Sequence, residues 1–324
     1  MAVYTRLTTA ELGQFLQAFA LGELTQASDI NGGVENTNYR LVTTHGRYVL
    51  TLFEHHQPAE VQDFVRLARH LNNAGFLVPA PLADQHGNWL HSLAGKPAIL
   101  CELLPGDHIE DASPRQCWEI GEALARLHLA SKVLEQPRPN SRGFDWWQRI
   151  YSEATRWLEP ADYRLLSSEM AWQMSNRVRW KALPRGWIHG DLFRDNVLFV
   201  EQQGKQRIGA VLDWYNACEG VWIYDLAIIA NDWCCDVTGE WEIAKYDALL
   251  AGYQSVRPFT IMEQQSWQMV LRGAATRFWL SRLETLRHQE SIEGMTGNRK
   301  DPNEYRDKLR TRQQQYQPAP KVLV

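Results

Sequence analysis

The stretch that most constrains this chain is Ile188-His189-Gly190-Asp191-Leu192-Phe193-Arg194-Asp195-Asn196-Val197-Leu198-Phe199. It sets an Asp and an Asn five positions apart in a polar loop that runs directly into an apolar strand. Phosphoryl transfer to a hydroxyl needs a carboxylate to orient the attacking oxygen and oxygen ligands on the metal that neutralises the phosphates. One short loop can supply both, with Asp191 facing the acceptor and Asn196 turned back to the ion. Residues 197–200 read as a strand, 201–207 as a polar turn with Gly204, and 208–212 as the returning strand. Asp213 follows at once. Asn196 and Asp213 are therefore expected at the same end of a hairpin, where two oxygen ligands can meet on one Mg²⁺. Taken singly, Asp191 would be an N-capping residue beside an ordinary hairpin. Loop, hairpin and second Asp together point to a kinase-type site.

These residues resemble the aminoglycoside phosphotransferase-like branch of the protein-kinase superfamily. That branch carries His-Gly-Asp-x-x-x-x-Asn in its catalytic loop and, about twenty residues on, an Asp that holds metal. The resemblance implies an α+β, two-lobed protein-kinase-like fold, a small and mostly antiparallel β lobe followed by a larger helical lobe.

A length of 324 residues accommodates two lobes, each with its own core. A hydrophobic content of 44% with 22% charged residues is that of a soluble globular chain. No apolar run approaches the ~20 residues that span a bilayer, and the start lacks the apolar core of a signal peptide. The five cysteines are odd in number and lack a C-x-x-C spacing, which argues for reduced thiols rather than a disulfide framework or zinc site. A net charge of −4 gives no reason to expect nucleic acid or an anionic membrane. The expectation is a cytoplasmic enzyme with a small-molecule substrate; the oligomeric state is left open.

Thr8-Thr9-Ala10-Glu11 has capping-box spacing, and Leu12, Phe15, Leu16 and Phe19 follow at helical period. Residues 31–38, Asn-Gly-Gly-Val-Glu-Asn-Thr-Asn, then precede strands at 39–44 and 47–53 around a His45-Gly46 turn. Glycines let backbone N–H groups lie close over phosphates. Gly32, Gly33, Asn36 and Thr37 are accordingly candidate nucleotide-binding residues, although Gly-Gly before a strand on its own marks only a turn. The next strand of a kinase-like lobe normally carries a Lys that grips the phosphates and pairs with a Glu of the following helix. Thr51 stands at that position here. Arg47, Arg40 and Lys96 are all candidates for the missing charge, and the role of Glu60 on the following helix, 59–74, stays open.

A strand at 97–103 and the break at Leu104-Pro105-Gly106 close the first lobe. This gives a nucleotide-binding lobe over 1–104 and a catalytic, acceptor-binding lobe over 105–324. By position alone, the backbone of Glu102 and Leu103 is assigned to the adenine edge of ATP. Helices are expected at 114–129, from Phe144, and at 161–181. His128 is read as a hydrogen-bonded core residue. Asp225 is expected to open an apolar helix and to brace the catalytic loop from beneath. Asn231 and Asp232 border either the acceptor pocket or simply the polar end of that helix.

Residues 257–324 hold twelve Lys and Arg against seven Asp and Glu, the wrong balance for a polycationic acceptor and a better one for a carboxylate. Arg277, set among Ala274, Ala275, Phe278, Trp279 and Leu280, needs a carboxylate partner if buried. Asp225 and Asp232 are the candidates for a structural pair. Asp232 with Arg277 is alternatively an amino-acid clasp, acid to ammonium and guanidinium to carboxylate.

Five segments in order sharpen the resemblance: Gly33–Tyr39, Tyr48–Glu54, His189–Phe199, Leu212–Cys218 and Tyr224–Cys234. They are similar to the bacterial homoserine kinases of the aminoglycoside phosphotransferase-like type over nearly the whole chain. That branch also lacks the strand Lys. The resemblance implies ATP and Mg²⁺ as cofactors and L-homoserine as the acceptor, in a step that feeds threonine synthesis. Its rivals are a kinase of choline, ethanolamine or an aminoglycoside, and a catalytically silent nucleotide-binding regulator.

Overall fold

The computed structural model describes residues 4–30, 36–134, 137–154, 156, 158–290 and 300–317. They fall into two compact units, one running to Gly106 and including Gly209–Tyr215, the other from Asp107 to Ile208 and from Asn216 onward. Among the described residues, no helix is long and apolar enough to cross a membrane.

The first unit opens with α1 (Thr9–Leu16), held by the expected capping box. Glu11 N–H donates to Thr8 Oγ1 at 3.2 Å, and Thr8 N–H donates to Glu11 Oε2 at 2.7 Å. Five strands follow: β1 (Leu24–Asp29), β2 (Thr37–Thr43), β3 (Arg47–Leu52), β4 (His91–Leu93) and β5 (Lys96–Glu102). They form one antiparallel sheet in the order β1-β2-β3-β5-β4, with α2 (Pro58–Asn73) between β3 and β4 in the chain. Period-2 alternation sorts the sheet's side chains to two faces. Tyr39, Leu41, Leu50, Leu52 and Leu100 pack with Leu12, Leu16 and Phe19 around α1. Phe53, Ile99 and Cys101 pack with Val61 and Phe64 of α2 and with Tyr215. The short β4 and the edge strand β1 were not legible beforehand. β1 reads Leu-Thr-Gln-Ala-Ser-Asp and buries none of its residues fully, so it carries almost no apolar signal.

The second unit begins with α3 (Pro114–Ser131), α4 (Phe144–Ala154), α5 (Pro160–Ser175) and α6 (Arg177–Ala182). The single helix expected over 161–181 is thus broken. Asn176 leaves helical geometry at φ −97° and ψ 8°, and its side-chain amide donates to the Trp172 carbonyl at 2.9 Å, ending α5. β6 (Arg185–Ile188) leads into the 188–199 loop, which contains a single 3₁₀ turn at Arg194–Asn196. β7 (Val197–Gln202) and β8 (Lys205–Val211) pair as a two-stranded sheet, the hairpin expected from sequence. β9 (Cys218–Val221) returns to pair antiparallel with β6, Ile188 opposite Cys218. α7 (Trp222–Trp233) is buried at every residue, its polar Asp225, Asn231 and Asp232 included. α8 (Ile243–Gln254), α9 (Ile261–Glu290) and α10 (Pro302–Gln314) complete the unit.

α3 and α8 cross at a reciprocal pair of glycines. A Cβ on Gly121 would collide with the Leu249 carbonyl, and one on Gly252 with the Trp118 carbonyl. Both obstacles are backbone, which cannot swing aside as a side chain can. Gly252→Ala should therefore overpack the crossing at a cost of about 1–3 kcal/mol, read as a lowered midpoint in urea unfolding. An unchanged midpoint would show that the helices can separate freely.

Candidate active site

The catalytic-loop candidate is built on a buried carboxylate. Asp225, in the first turn of α7, has no exposed surface. Its Oδ2 accepts the His189 N–H at 2.6 Å and its Oδ1 the Gly190 N–H at 2.7 Å. The helix is capped by Val221, so Asp225 lies inside the first turn rather than opening the helix. Gly190 adopts φ +77°, and a Cβ there would meet the Asn216 carbonyl at 3.0 Å. Glycine is thus required by both conformation and space.

Asp225 is itself braced. His128 Nε2 lies 3.2 Å from Asp225 Oδ2, and His128 Nδ1 lies 2.9 Å from the Tyr253 hydroxyl. Arg257 continues the chain, 3.4 Å from that hydroxyl and 2.8 Å from Glu263 Oε1. Burial holds the His128 pKa below the ordinary histidine value, with the bond to Asp225 opposing the shift. A neutral imidazole fits both contacts, with Nε2–H donating to Asp225 and Nδ1 accepting from Tyr253. The core reading of His128 is the one the structure bears out.

Beyond Gly190 the loop turns back on itself. The Asp191 carbonyl accepts the Phe193 N–H at 2.9 Å and the Asn196 side-chain amide at 2.7 Å, while Asp191 N–H donates to His189 Nδ1 at 3.2 Å. Leu192 and Phe193 are buried, and Phe193 meets Phe278 of α9 edge-on, centroids 4.6 Å apart. The Asp191 carboxylate stays part-exposed and faces Arg277, its Oδ1 3.6 Å from Nη1 of a side chain that is 6% exposed. Arg277 also lies over the Phe278 ring at 3.9 Å. The carboxylate that Arg277 required is thus Asp191, a partner the sequence reading did not propose. Asn140, Arg142, Gly190, Asn216, Tyr224 and Arg277 line a small cavity beside this pair.

With its amide nitrogen on the Asp191 carbonyl, Asn196 keeps an oxygen that accepts no hydrogen bond among the described residues. Asp213, in the first unit, holds φ +54°, an uncommon conformation for a non-glycine residue. An amide oxygen and a carboxylate are each the kind of hard donor that a divalent cation such as Mg²⁺ takes.

The remaining candidates divide. Asp232 turns to Arg194, accepting its backbone N–H at 2.9 Å with Nε at 3.3 Å. Asn231 donates to the Leu271 carbonyl at 3.0 Å and accepts from Arg312 at 2.9 Å. Both residues are buried and serve to hold elements together, so the Asp232–Arg277 clasp gives way to separate ion pairs.

In the first unit, Gly32 and Gly33 lie outside the described residues. Asn36 is buried with an amide oxygen lacking a partner among the described residues. The Thr37 hydroxyl donates to Glu54 and accepts the N–H groups of Tyr4 and Thr5. One donor and two acceptor sites exhaust it, leaving nothing for a phosphate. Glu102 ends β5, and the Leu103 N–H is spent on the Arg47 carbonyl at 2.9 Å, so only other backbone groups there remain for an adenine edge. Thr51 donates to Asn38 Oδ1 at 2.7 Å and faces the Tyr215 hydroxyl at 3.4 Å. Lys96 pairs with Glu54, whereas Arg40 and Arg47 are exposed; Glu60 accepts the Gln57 N–H at 2.9 Å as part of the α2 cap.

The phosphotransferase enzyme family matches residues 26–259. A homoserine kinase of Methylobacillus flagellatus is 38% identical over 302 residues, covering 93% of this chain and 92% of its own. A homoserine kinase of Polaromonas naphthalenivorans is 40% identical over 87% of this chain and 89% of its own. The chain belongs to the phosphotransferase enzyme family, among its homoserine kinases. It is an enzyme that transfers phosphate to a hydroxyl group. The same fold recurs in an amicoumacin kinase solved with AMP-PNP and Ca²⁺, at a TM-score of 0.68 and 13% identity over 95% of this chain and 93% of that one. It recurs too in a microcompartment-associated aminopropanol kinase, at a TM-score of 0.65 and 18% identity over 94% of each chain.

What sequence reasoning missed in this homoserine kinase relative is the segment around Arg142, together with Asn216 and Tyr224. Arg142 lies in a polar stretch, Asn140-Ser141-Arg142-Gly143, that reads as a plain loop. Only its placement beside Gly190 and Arg277 distinguishes it.

The buried His128 makes stability depend on pH with a definite sign. Its folded pKa lies below the unfolded value of about 6.5, so unfolding takes up a proton in acid and stability falls as pH drops through 6.5. Asp225, Tyr253, Arg257, Glu263 and the stacked Trp222 ring all face it. The stability difference between wild type and His128→Asn should therefore narrow from pH 7.5 to 5.5, by up to ~1.4 kcal/mol per unit. Parallel pH profiles in urea unfolding would contradict this.

Proposed function

We propose that the chain transfers the γ-phosphoryl group of ATP to the side-chain hydroxyl of L-homoserine, giving O-phospho-L-homoserine. The observation that carries this reading is the His189–Asn196 loop. It is pinned to Asp225 through two successive N–H groups and presents a part-exposed Asp191 beside a buried Arg277. The 37–40% identity to homoserine kinases over most of the chain supports the choice of acceptor.

In this reading Asp191 orients the acceptor hydroxyl for in-line attack and takes its proton. The transition state is loose, so what the protein contributes is position and charge. The Asp191 carbonyl, tied to Phe193 and Asn196, fixes the main chain from which the carboxylate projects. Mg²⁺, with oxygens from Asn196 and Asp213, would neutralise the charge of the phosphates. Residues 1–104 serve the nucleotide, through the 31–36 segment and the chain near Glu102 and Leu103, and residues 105–324 serve the acceptor. A cytoplasmic location and a free small-molecule substrate complete the reading.

The test is ADP release by purified protein with MgATP and L-homoserine, with L-serine, choline and kanamycin as parallel acceptors. Turnover is expected with L-homoserine above the other three. Asp191→Ala should lower kcat by about 10²–10⁴-fold with its circular dichroism unchanged. A variant with near-normal kcat would remove Asp191 from the mechanism, and turnover confined to another acceptor would remove homoserine.

A further inference from the structure

The cavity beside the catalytic loop is cationic in a way that the transfer step does not use. Arg142 and Arg277 both line it, together with Asn140, Asn216 and Tyr224, and no Asp or Glu is among its lining residues. Arg142 is held in place by its own contacts. Its N–H donates to Asn140 Oδ1 at 2.8 Å, its Nη1 to the Ser281 hydroxyl at 2.6 Å, and its carbonyl accepts from the Trp147 indole at 2.9 Å. Arg277 is held by the face of Phe278 and by Asp191. Two guanidinium groups lining one small cavity, with Asn140, Asn216 and Tyr224 beside them, suit a planar anion, because each fork can grip a carboxylate bidentately.

We propose that Arg277 and Arg142 hold the α-carboxylate of the acceptor, and that this contact draws Arg277 away from Asp191 and frees it to receive the hydroxyl proton. The inference rests on the amino-acid acceptor proposed above. A buried guanidinium keeps an anion near it, because an unpaired one costs several kcal/mol. Without acceptor that anion is Asp191, which is thereby held away from its task. An acceptor carboxylate in the cavity replaces it. An alcohol without a carboxylate enters the same site but leaves Asp191 paired. Discrimination is therefore expected in kcat as well as in KM, since the carboxylate changes the state of the base and not only the occupancy of the site.

The experiment compares L-homoserine with 3-aminopropan-1-ol, the same amino alcohol without its carboxylate, by ADP release. Wild type, Arg277→Met, Arg277→Lys and Arg142→Gln are measured, each checked for folding by thermal unfolding. Wild type should favour L-homoserine by at least ~100-fold in kcat/KM, with part of the ratio in kcat. Arg277→Met should bring that ratio to within about tenfold of unity, because L-homoserine loses far more than 3-aminopropan-1-ol does. Arg277→Lys should recover part of it and Arg142→Gln should lower it. Two results overturn the inference alone: both alcohols losing rate in proportion in folded Arg277→Met, or a wild-type preference that resides wholly in KM. A wild-type enzyme inactive on L-homoserine overturns the proposed function, and this inference with it.

Discussion

The second unit depends on one buried carboxylate. Asp225 lies on an entirely buried helix, where an unpaired charge would cost several kcal/mol. It is accommodated because three donors converge on it, two of them backbone N–H groups of His189 and Gly190 that leave the end of β6 together. Charge-assisted bonds of this type are worth about 1.5–3 kcal/mol each, and the first turn of α7 adds its own N–H dipoles. The carboxylate and the loop therefore fix one another. β6–β9 pairing brings the strand to the head of α7, Asp225 grips the loop as it leaves the strand, and the next residue is Asp191. The Asp191 backbone is held by its neighbours, and its side chain is left part-exposed.

That arrangement explains which parts of the molecule were legible in the sequence. The loop, the hairpin after it and the capped α1 rest on contacts a few residues long, and such contacts leave spacing patterns. The brace under the loop was legible as well, since an Asp in the first turn of an apolar helix has few other roles. The Arg277–Asp191 pair spans distant positions with no periodicity connecting them. Arg277 announced its need for a carboxylate through its apolar neighbours, but not which carboxylate. Asp225 and Asp232 were the candidates, and each is committed elsewhere, Asp225 to the loop N–H groups and Asp232 to Arg194. The β6–β9 ladder is short and joins segments separated by the whole hairpin, so neither strand stands out alone. Thr37 illustrates the opposite failure. A Thr after a Gly-Gly loop suggests phosphate, yet its hydroxyl is saturated by Glu54 and the chain entering α1.

The first unit follows the same rule that polar groups on a sheet face are committed before ligands are considered. Thr51 occupies the position where related folds place a phosphate-gripping Lys, and its hydroxyl is used by Asn38. Burial pushes the Tyr215 hydroxyl well above the ordinary phenol range, so it stays protonated and can act as a donor toward Thr51. Glu54 gathers Thr5, Thr37 and Lys96, which makes Lys96 part of the structure joining the N-terminal segment to the sheet. Of the three candidates for the missing charge, Lys96 is therefore the one already employed. Arg40 and Arg47 are exposed. Through the β2–β3 register, with Asn38 opposite Thr51 and Arg40 opposite Val49, both stand on the same face as Thr51, one or two pleats along. Positive charge is thus present on that face at positions displaced from the usual one. Arginine also supplies positive charge in the second unit, where Arg142 and Arg277 line the small cavity that includes Gly190.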